Sequence, residues 1–269
     1  MQIARISGPA LGGLFFGWME VWAMAGIVCA VLLLSFVTML WVRALPSPLQ
    51  VARKSESRRT KLLSGATFVI RHPILLPALT LDMISVLFGG VTALLPVYAA
   101  EILMVGAKGL GALRAAPAIG AAITSLWLTT FDIRERAGAW LFSAVTGFGV
   151  CTLVFALSRS YALSLLALGL SGAFDSVSMV VRTSAVQLSS PDSMRGRISA
   201  VNSIFIGSSN ELGEFESGVV ARLLGAVPAA VLGGIVCLAT VFAVALFSPR
   251  LRKLNLGELK AAHETPLQQ

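Results

Sequence analysis

Apolar runs about 20 residues long recur along this chain, and they constrain its fold more than any other feature. A bilayer core about 30 Å thick takes roughly 20 mostly apolar residues to cross as a helix, and a helix satisfies its own backbone N–H and C=O groups in hydrocarbon. Eight runs can be read, at about 3–17, 21–42, 74–98, 109–131, 139–157, 161–188, 198–223 and 226–247. Gly, Pro and Ser punctuate the joins, as in "RALPSP", "LSSPD" and "FSPR". With 56% hydrophobic and 13% charged residues, the composition departs from that of a soluble domain in both directions. The expected class is an all-α integral membrane protein with about eight transmembrane helices and the lipid bilayer as its first partner.

A net charge of +8 would suit a nucleic-acid partner, but its placement argues against one. Arg43, Arg53, Lys54, Arg58, Arg59, Lys61 and Arg71 follow the second run, Arg134 and Arg136 the fourth, and Arg195 and Arg197 the sixth. Arg250, Arg252, Lys253 and Lys260 follow the eighth, whereas the alternate gaps hold only Lys108, Arg159 and Arg222. By the positive-inside rule the first set of loops is cytoplasmic, and an even number of spans places both termini there too. The basic balance is topology and contact with anionic lipid. Cys29, Cys151 and Cys237 all sit inside apolar runs and read as small packing residues. His72 and His263 are isolated in cytoplasmic segments. No metal-ligand set or activated nucleophile emerges, so neither an enzyme nor a cofactor is expected.

The first run is short for a crossing and has Arg5 near its start. A signal peptide is disfavoured, because no small-x-small cleavage site follows and "GPALGG" makes a poor apolar core. Internal repetition accounts for the shortness better. "AGIVC" at 25–29 nearly recurs as "GGIVC" at 233–237, and "ALGGLFFG" at 10–17 aligns with "ELGEFESG" at 211–218. The first helix pair resembles the last. Residues 74–248 then form one complete six-helix unit, residues 1–42 the end of an earlier copy lacking about four helices, 43–73 a basic cytoplasmic linker and 249–269 a cytoplasmic tail. Within the linker, Leu62, Leu63, Ala66, Val69 and Ile70 recur at helical spacing beside basic residues, as in an amphipathic helix on the inner leaflet.

Candidate functional residues are those that hydrocarbon would penalise. In the seventh run, Ser203, Gly207, Asn210, Glu211, Glu214, Ser217 and Gly218 share one small, polar stripe, and Val201, Phe205, Leu212, Phe215 and Val219 the other. A carboxylate left in lipid costs about 2.5–3.5 kcal/mol, so the stripe is expected to face protein or a water-filled pathway. Glu216 sits at its edge. Asp82 and Asp175, deep in the third and sixth runs, are further candidates for proton or cation handling. A static ion pair is the competing reading for Asp175, because Arg182 follows on the same face about 10 Å along the axis. Arg114 and Arg182 lie near run ends, where a long side chain can carry its charge to the interface. Gly8, Pro9, Gly12 and Gly13 clear one helix face for close packing and a bend. Arg195, Gly196 and Arg197 make a short basic turn suited to carboxylates, lipid phosphates or simple topological anchoring.

Several stretches also carry a family resemblance. "GPALGG" resembles the tail of the fifth-helix signature of proton-coupled antiporters of the major facilitator superfamily, "PDSMRGR" at 191–197 its cytoplasmic turn before helix eleven, and "FDIRERAG" at 131–138 a degenerate form of its Asp-Arg-Gly loop. "LDMISVLFGGVTALLP" and "SAVNSIFIGSSNELGEFESG" resemble the branch that contains siderophore exporters. The resemblance implies a major facilitator fold in a bacterial cytoplasmic membrane. It also implies alternating access about a mid-membrane site and export of a hydrophobic or siderophore-like small molecule, with H+ as coupling ion and no other cofactor. A truncated, transport-incompetent remnant or a membrane interaction subunit is the alternative.

The charge asymmetry generates a direct test of orientation. A cysteine replacing Lys108 should react with a membrane-impermeant thiol reagent from outside, and one replacing Arg58 only after permeabilisation; the reverse pattern would invert the topology.

Overall fold

The structure, a computed structural model, describes residues 21–41, 58–131, 133, 135–191 and 194–259. Every regular element among them is helical. The elements are α1 (Val21–Trp41), α2 (Arg58–Arg71), α3 (Leu75–Ile102, in pieces), α4 (Gly106–Trp127), α5 (Ala137–Leu157), α6 (Tyr161–Ser189), α7 (Arg195–Leu224), α8 (Ala226–Phe247) and the short α9 (Pro249–Arg252). Seven of the eight expected runs are therefore helices. The first run, with Gly8, Pro9, Gly12 and Gly13, lies outside the described residues, as does 42–57. By length and composition, α3 to α6 and α8 can cross a membrane. The 30-residue α7 is long enough too, but its Glu, Asn and Ser residues make it too polar for that group.

Small residues decide how the helices meet. α4 packs on α6, α6 on α5, α5 on α8, α8 on α3 and α3 on α7. A Cβ on Gly120 would lie 1.8 Å from the Gly169 carbonyl oxygen, and one on Gly172 1.9 Å from that of Pro117, so α4 and α6 touch backbone to backbone. A Cβ on Gly233 of α8 would likewise lie 1.9 Å from the Phe88 carbonyl of α3. Apolar side chains fill both ends of the bundle. Leu81, Leu141, Val181 and Val241 belong to one cluster, and Leu94, Tyr98, Leu113, Phe155 and Leu168 to the other.

The sequence reading treats α3 as one continuous span, whereas the structure breaks it. Its α-helical part ends at Gly89, Gly90 is extended, and the chain continues through a 3-10 turn (Thr92–Leu94), a short α turn (Leu95–Val97) and a π turn (Tyr98–Ile102). The physical cause is local: two glycines weaken the helix, and Pro96 has no N–H to continue it. Neighbouring helices take up the freed acceptors. Thr152 Oγ1 of α5 donates to the Gly89 carbonyl at 3.3 Å, and Ser217 Oγ of α7 to the Gly90 carbonyl at 3.2 Å.

The linker helix forms as α2, with more protein contact than a helix lying on a leaflet would have. Val69 is buried in a cluster with Leu75, Leu79, Ile198 and Val201, while Ile70 is exposed. Arg197 donates from Nη1 to Ser64 Oγ at 3.1 Å, and Gly65 packs on the Arg197 backbone, so the basic turn "SMRGR" is tied to α2. His72 Nδ1 accepts the backbone N–H groups of Ile74 and Leu75 at 3.3 and 3.2 Å, capping α3. Burial lowers the pKa of His72, in keeping with a ring that must stay unprotonated at Nδ1. In α1, every residue whose exposure is described is exposed, Trp22 at 84%. An apolar helix exposed all round meets lipid or further protein in a bilayer.

The backbone contact between α4 and α6 makes Gly172→Ala a sensitive probe. It should lower the melting temperature in detergent, with an overpacking cost of about 1–3 kcal/mol. Gly207→Ala has nothing within 4 Å of the new Cβ and should not destabilise. Equal melting of the two variants would refute the close crossing.

Candidate functional site

The break in α3 opens a cavity of about 190 Å³ at the middle of the bundle. Its lining comes from five elements or joins, with Gly90 and Thr92 at the break, Pro117 of α4, Thr152 of α5, Ser171 and Asp175 of α6, and Asn210 of α7 among the residues. Asn210 is exposed on the rim and donates from Nδ2 to the Ile206 carbonyl at 3.0 Å. Beyond Asp175 lies a crevice of about 10 Å³, lined by Asp82, Ser85, Phe148, Asp175 and Ser178 among others. Asp175 lines both spaces. One polar track therefore runs from Asn210 through Asp175 to Asp82.

At the end of that track Arg182 of α6 forms an ion pair with Asp82 of α3, both side chains less than a tenth exposed. This corrects two expectations. Arg182 does not carry its charge to the membrane interface; at 6% exposure it is buried among the core residues. Its recorded ion pair is with Asp82 on another helix, because α3 and α6 face each other here while a seven-residue step along α6 is long for a salt bridge. Arg114 is exposed on α4, as a residue near a helix end can be.

These helices, their apolar surfaces and the broken third span fit one family. The chain matches the Major Facilitator Superfamily over residues 1–214. It belongs to that superfamily. Enterobactin exporters EntS from Escherichia coli O1:K1 / APEC, from Escherichia coli O45:K1 (strain S88 / ExPEC) and from Shigella boydii serotype 18 (strain CDC 3083-94 / BS512) are each 26% identical to it over 275 residues. Each alignment covers 100% of this chain and 62% of the exporter, so the chain spans less than two thirds of the relatives it matches. No solved structure matches. Membership makes this an integral membrane protein of the major facilitator fold.

Within this superfamily member, α7 shows three faces. Ile198, Val201, Ser209, Gly213 and Ser217 are buried against the bundle, with Gly213 seated on the Leu87 backbone of α3. Ile204, Leu212, Phe215 and Val219 form an exposed apolar face. Ser203, Gly207, Asn210, Glu211, Glu214 and Gly218 form an exposed polar face between them. Ser217 leaves the expected polar stripe because its hydroxyl is engaged by the α3 break. Glu216 is half-buried on the packing side. Glu211 and Glu214 thus share one open side, and neither lines the cavity that holds Asn210 and Asp175.

The sequence reading did not single out Ser85, Thr152, Ser171 or Ser178. Their signal is the spacing already used for α7: Ser171, Asp175, Ser178 and Arg182 fall at i, i+4, i+7 and i+11, one helix face. Cys151 and Cys237 are buried and free, as packing residues would be. Among the described residues no group of three or more His, Cys, Asp or Glu side chains could hold a metal ion.

A buried ion pair is costly to break from one side. Arg182→Met leaves the buried Asp82 carboxylate without the guanidinium it pairs with and should destabilise the protein by about 3–5 kcal/mol. Asp82→Asn keeps the shape and an acceptor oxygen for the guanidinium, so its cost should be smaller. Denaturant unfolding in detergent checks the order; an Arg182→Met protein as stable as wild type would show that the pair carries no structural weight.

Proposed function

We propose that this chain serves secondary active transport, exporting a hydrophobic or siderophore-like small molecule in exchange for protons. The observation that carries the reading is the polar face of α7, where Glu211 and Glu214 stand exposed on one side of a helix long enough to span. A membrane helix keeps carboxylates there only if water, substrate or further protein meets them. The resemblance to exporters whose name specifies enterobactin supports the substrate class. Residues 1–42 act as the end of one six-helix half, 43–73 as a basic cytoplasmic linker and 74–248 as the other half. Both termini lie in the cytoplasm, and alternating access rocks the halves about the α7 face and the cavity at the α3 break.

The exposure of that same face favours a second reading, in which the chain transports only together with further helices that cover α7. It then acts as an interaction subunit or a remnant.

Proteoliposomes separate the readings. With enterobactin as probe, an imposed pH gradient should drive accumulation, and Glu211→Gln or Glu214→Gln should abolish it while leaving part of the binding. Accumulation that needs a co-reconstituted partner supports the second reading. An unchanged pH dependence in both variants, with only lowered stability, would remove the proton role from this pair.

A further inference from the structure

Where α3 and α7 stop and α8 starts, a pocket of about 560 Å³ opens at the end of the polar face of α7, with Gly218 in its lining. That volume is in the range of small-molecule sites, about 300–1,000 Å³. Leu94 and Val97 of α3, Ala221 of α7 and Val227 of α8 give it apolar walls, and its charged lining residues are Glu101 and Arg222. Both are exposed. Among the described residues no ion pair joins these two, although they line one space. Local structure positions each of them. Glu101 lies in the π turn Tyr98–Ile102, a kind of turn that recurs at functional sites. Tyr98 anchors that turn, fully buried and donating from its hydroxyl to the Ala156 carbonyl at 3.0 Å. Arg222 lies in the last turn of α7, in line with Glu211, Glu214 and Gly218 at i, i+3, i+7 and i+11. The segment Leu75–Ile102 has 28 residues. At about 1.5 Å each it is about 40 Å long against a hydrocarbon core of about 30 Å, so its Glu101 end reaches headgroup depth.

We propose that this pocket binds the headgroup of an aminophospholipid, with Glu101 receiving its primary ammonium and Arg222 its phosphate. The charge pattern disfavours simpler ligands. A lone cation, organic or metallic, would be repelled by Arg222, and a lone anion by Glu101. A zwitterion satisfies both side chains at once through charge-assisted hydrogen bonds. The ammonium is primary because a carboxylate accepts N–H donors, and a trimethylammonium has none. Quaternary ammonium groups are held by aromatic cages, and among the described residues no aromatic ring lines this pocket. The helix ends add the same polarity, since the carbonyl end of α3 favours a cation and the N–H end of α8 an anion. Depth and walls select a lipid as the source. The pocket opens at headgroup level, and Leu94, Val97 and Val227 offer apolar contact to acyl methylenes that a soluble zwitterion lacks. The site does not rest on the export reading, because binding is read without transport.

Native mass spectrometry of the purified full chain in detergent tests the assignment, by titration with phosphatidylethanolamine, phosphatidylcholine and phosphatidylglycerol of identical acyl chains. Phosphatidylethanolamine should bind most tightly. Glu101→Gln should weaken it about three- to fivefold and bring it level with phosphatidylcholine, whereas Arg222→Gln should weaken all three lipids. Lys108→Gln removes an exposed charge at the same end of the bundle but outside this pocket, and should change none of them. Because Glu101 and Arg222 do not pair with each other, both variants should melt close to wild type in lipid-free detergent, which keeps them testable. Equal affinity of wild type for the three lipids overturns the site, as does a lipid profile that neither variant alters. An Arg222→Gln protein that melts lower with its lipid affinities intact makes the arginine a counter-charge for the end of α7, and overturns the site too. Glycerophosphoethanolamine, the same headgroup without acyl chains, is the last probe. Much weaker binding than the lipid supports the lipid as occupant; binding as tight, with the same dependence on Glu101 and Arg222, overturns it in favour of a soluble zwitterion.

Discussion

The ion pair between Arg182 and Asp82 is the interaction around which the interior is arranged. It joins α3 to α6, and both side chains are buried. Hydrocarbon offers no solvent to either charge, so each is tolerable only in the presence of the other. That requirement fixes the facing of the two helices. Once Asp82 and Arg182 face inward, the helical period places Ser85 beside Asp82, and Ser171, Asp175 and Ser178 in line with Arg182. The polar track follows from a single pairing and two periodicities.

The break in α3 extends the same logic to the backbone. A helix that stops in mid-membrane exposes carbonyls that need donors, and donors in a bundle must come from side chains on neighbours. Thr152 and Ser217 supply them from α5 and α7. Three helices thereby become linked at one depth, and the space left by the missing turn is the cavity that Asp175 and Asn210 line. Backbone satisfaction and cavity formation have one cause, the Gly89–Gly90 step.

How much of this could be read from residues alone depends on whether the signal was local. Helix existence was legible, because apolar runs, Pro and Gly punctuation and charge placement act within a few turns. α2 was legible too, from the spacing of Ala66, Val69 and Ile70, but its docking partner was not, since the contacts from Ser64 and Gly65 to Arg197 join segments far apart in sequence. The partner of Arg182 was misjudged for the same reason. A same-helix candidate was visible in sequence, whereas the cross-helix one required knowing which faces of α3 and α6 meet. The α3 break had a local signal in "FGGV" and Pro96, but hydropathy alone reads straight through it.

The three faces of α7 connect these points to the membrane. Its buried face is built from Ser209, Gly213 and Ser217, small enough for α3 to approach closely, and its exposed apolar face from Leu212, Phe215 and Val219. Those two faces can be satisfied by the bundle and by lipid. The third cannot. Glu211 and Glu214 lie about 60° apart on the helix, so any element that covers one also reaches the other, and at about 2.5–3.5 kcal/mol each the pair disfavours lipid strongly. Asn210 closes the argument, since it belongs to this open face and to the rim of the buried cavity at once. Whatever meets the carboxylates of α7 therefore stands next to the entrance of the polar track that leads to Asp175, Asp82 and Arg182.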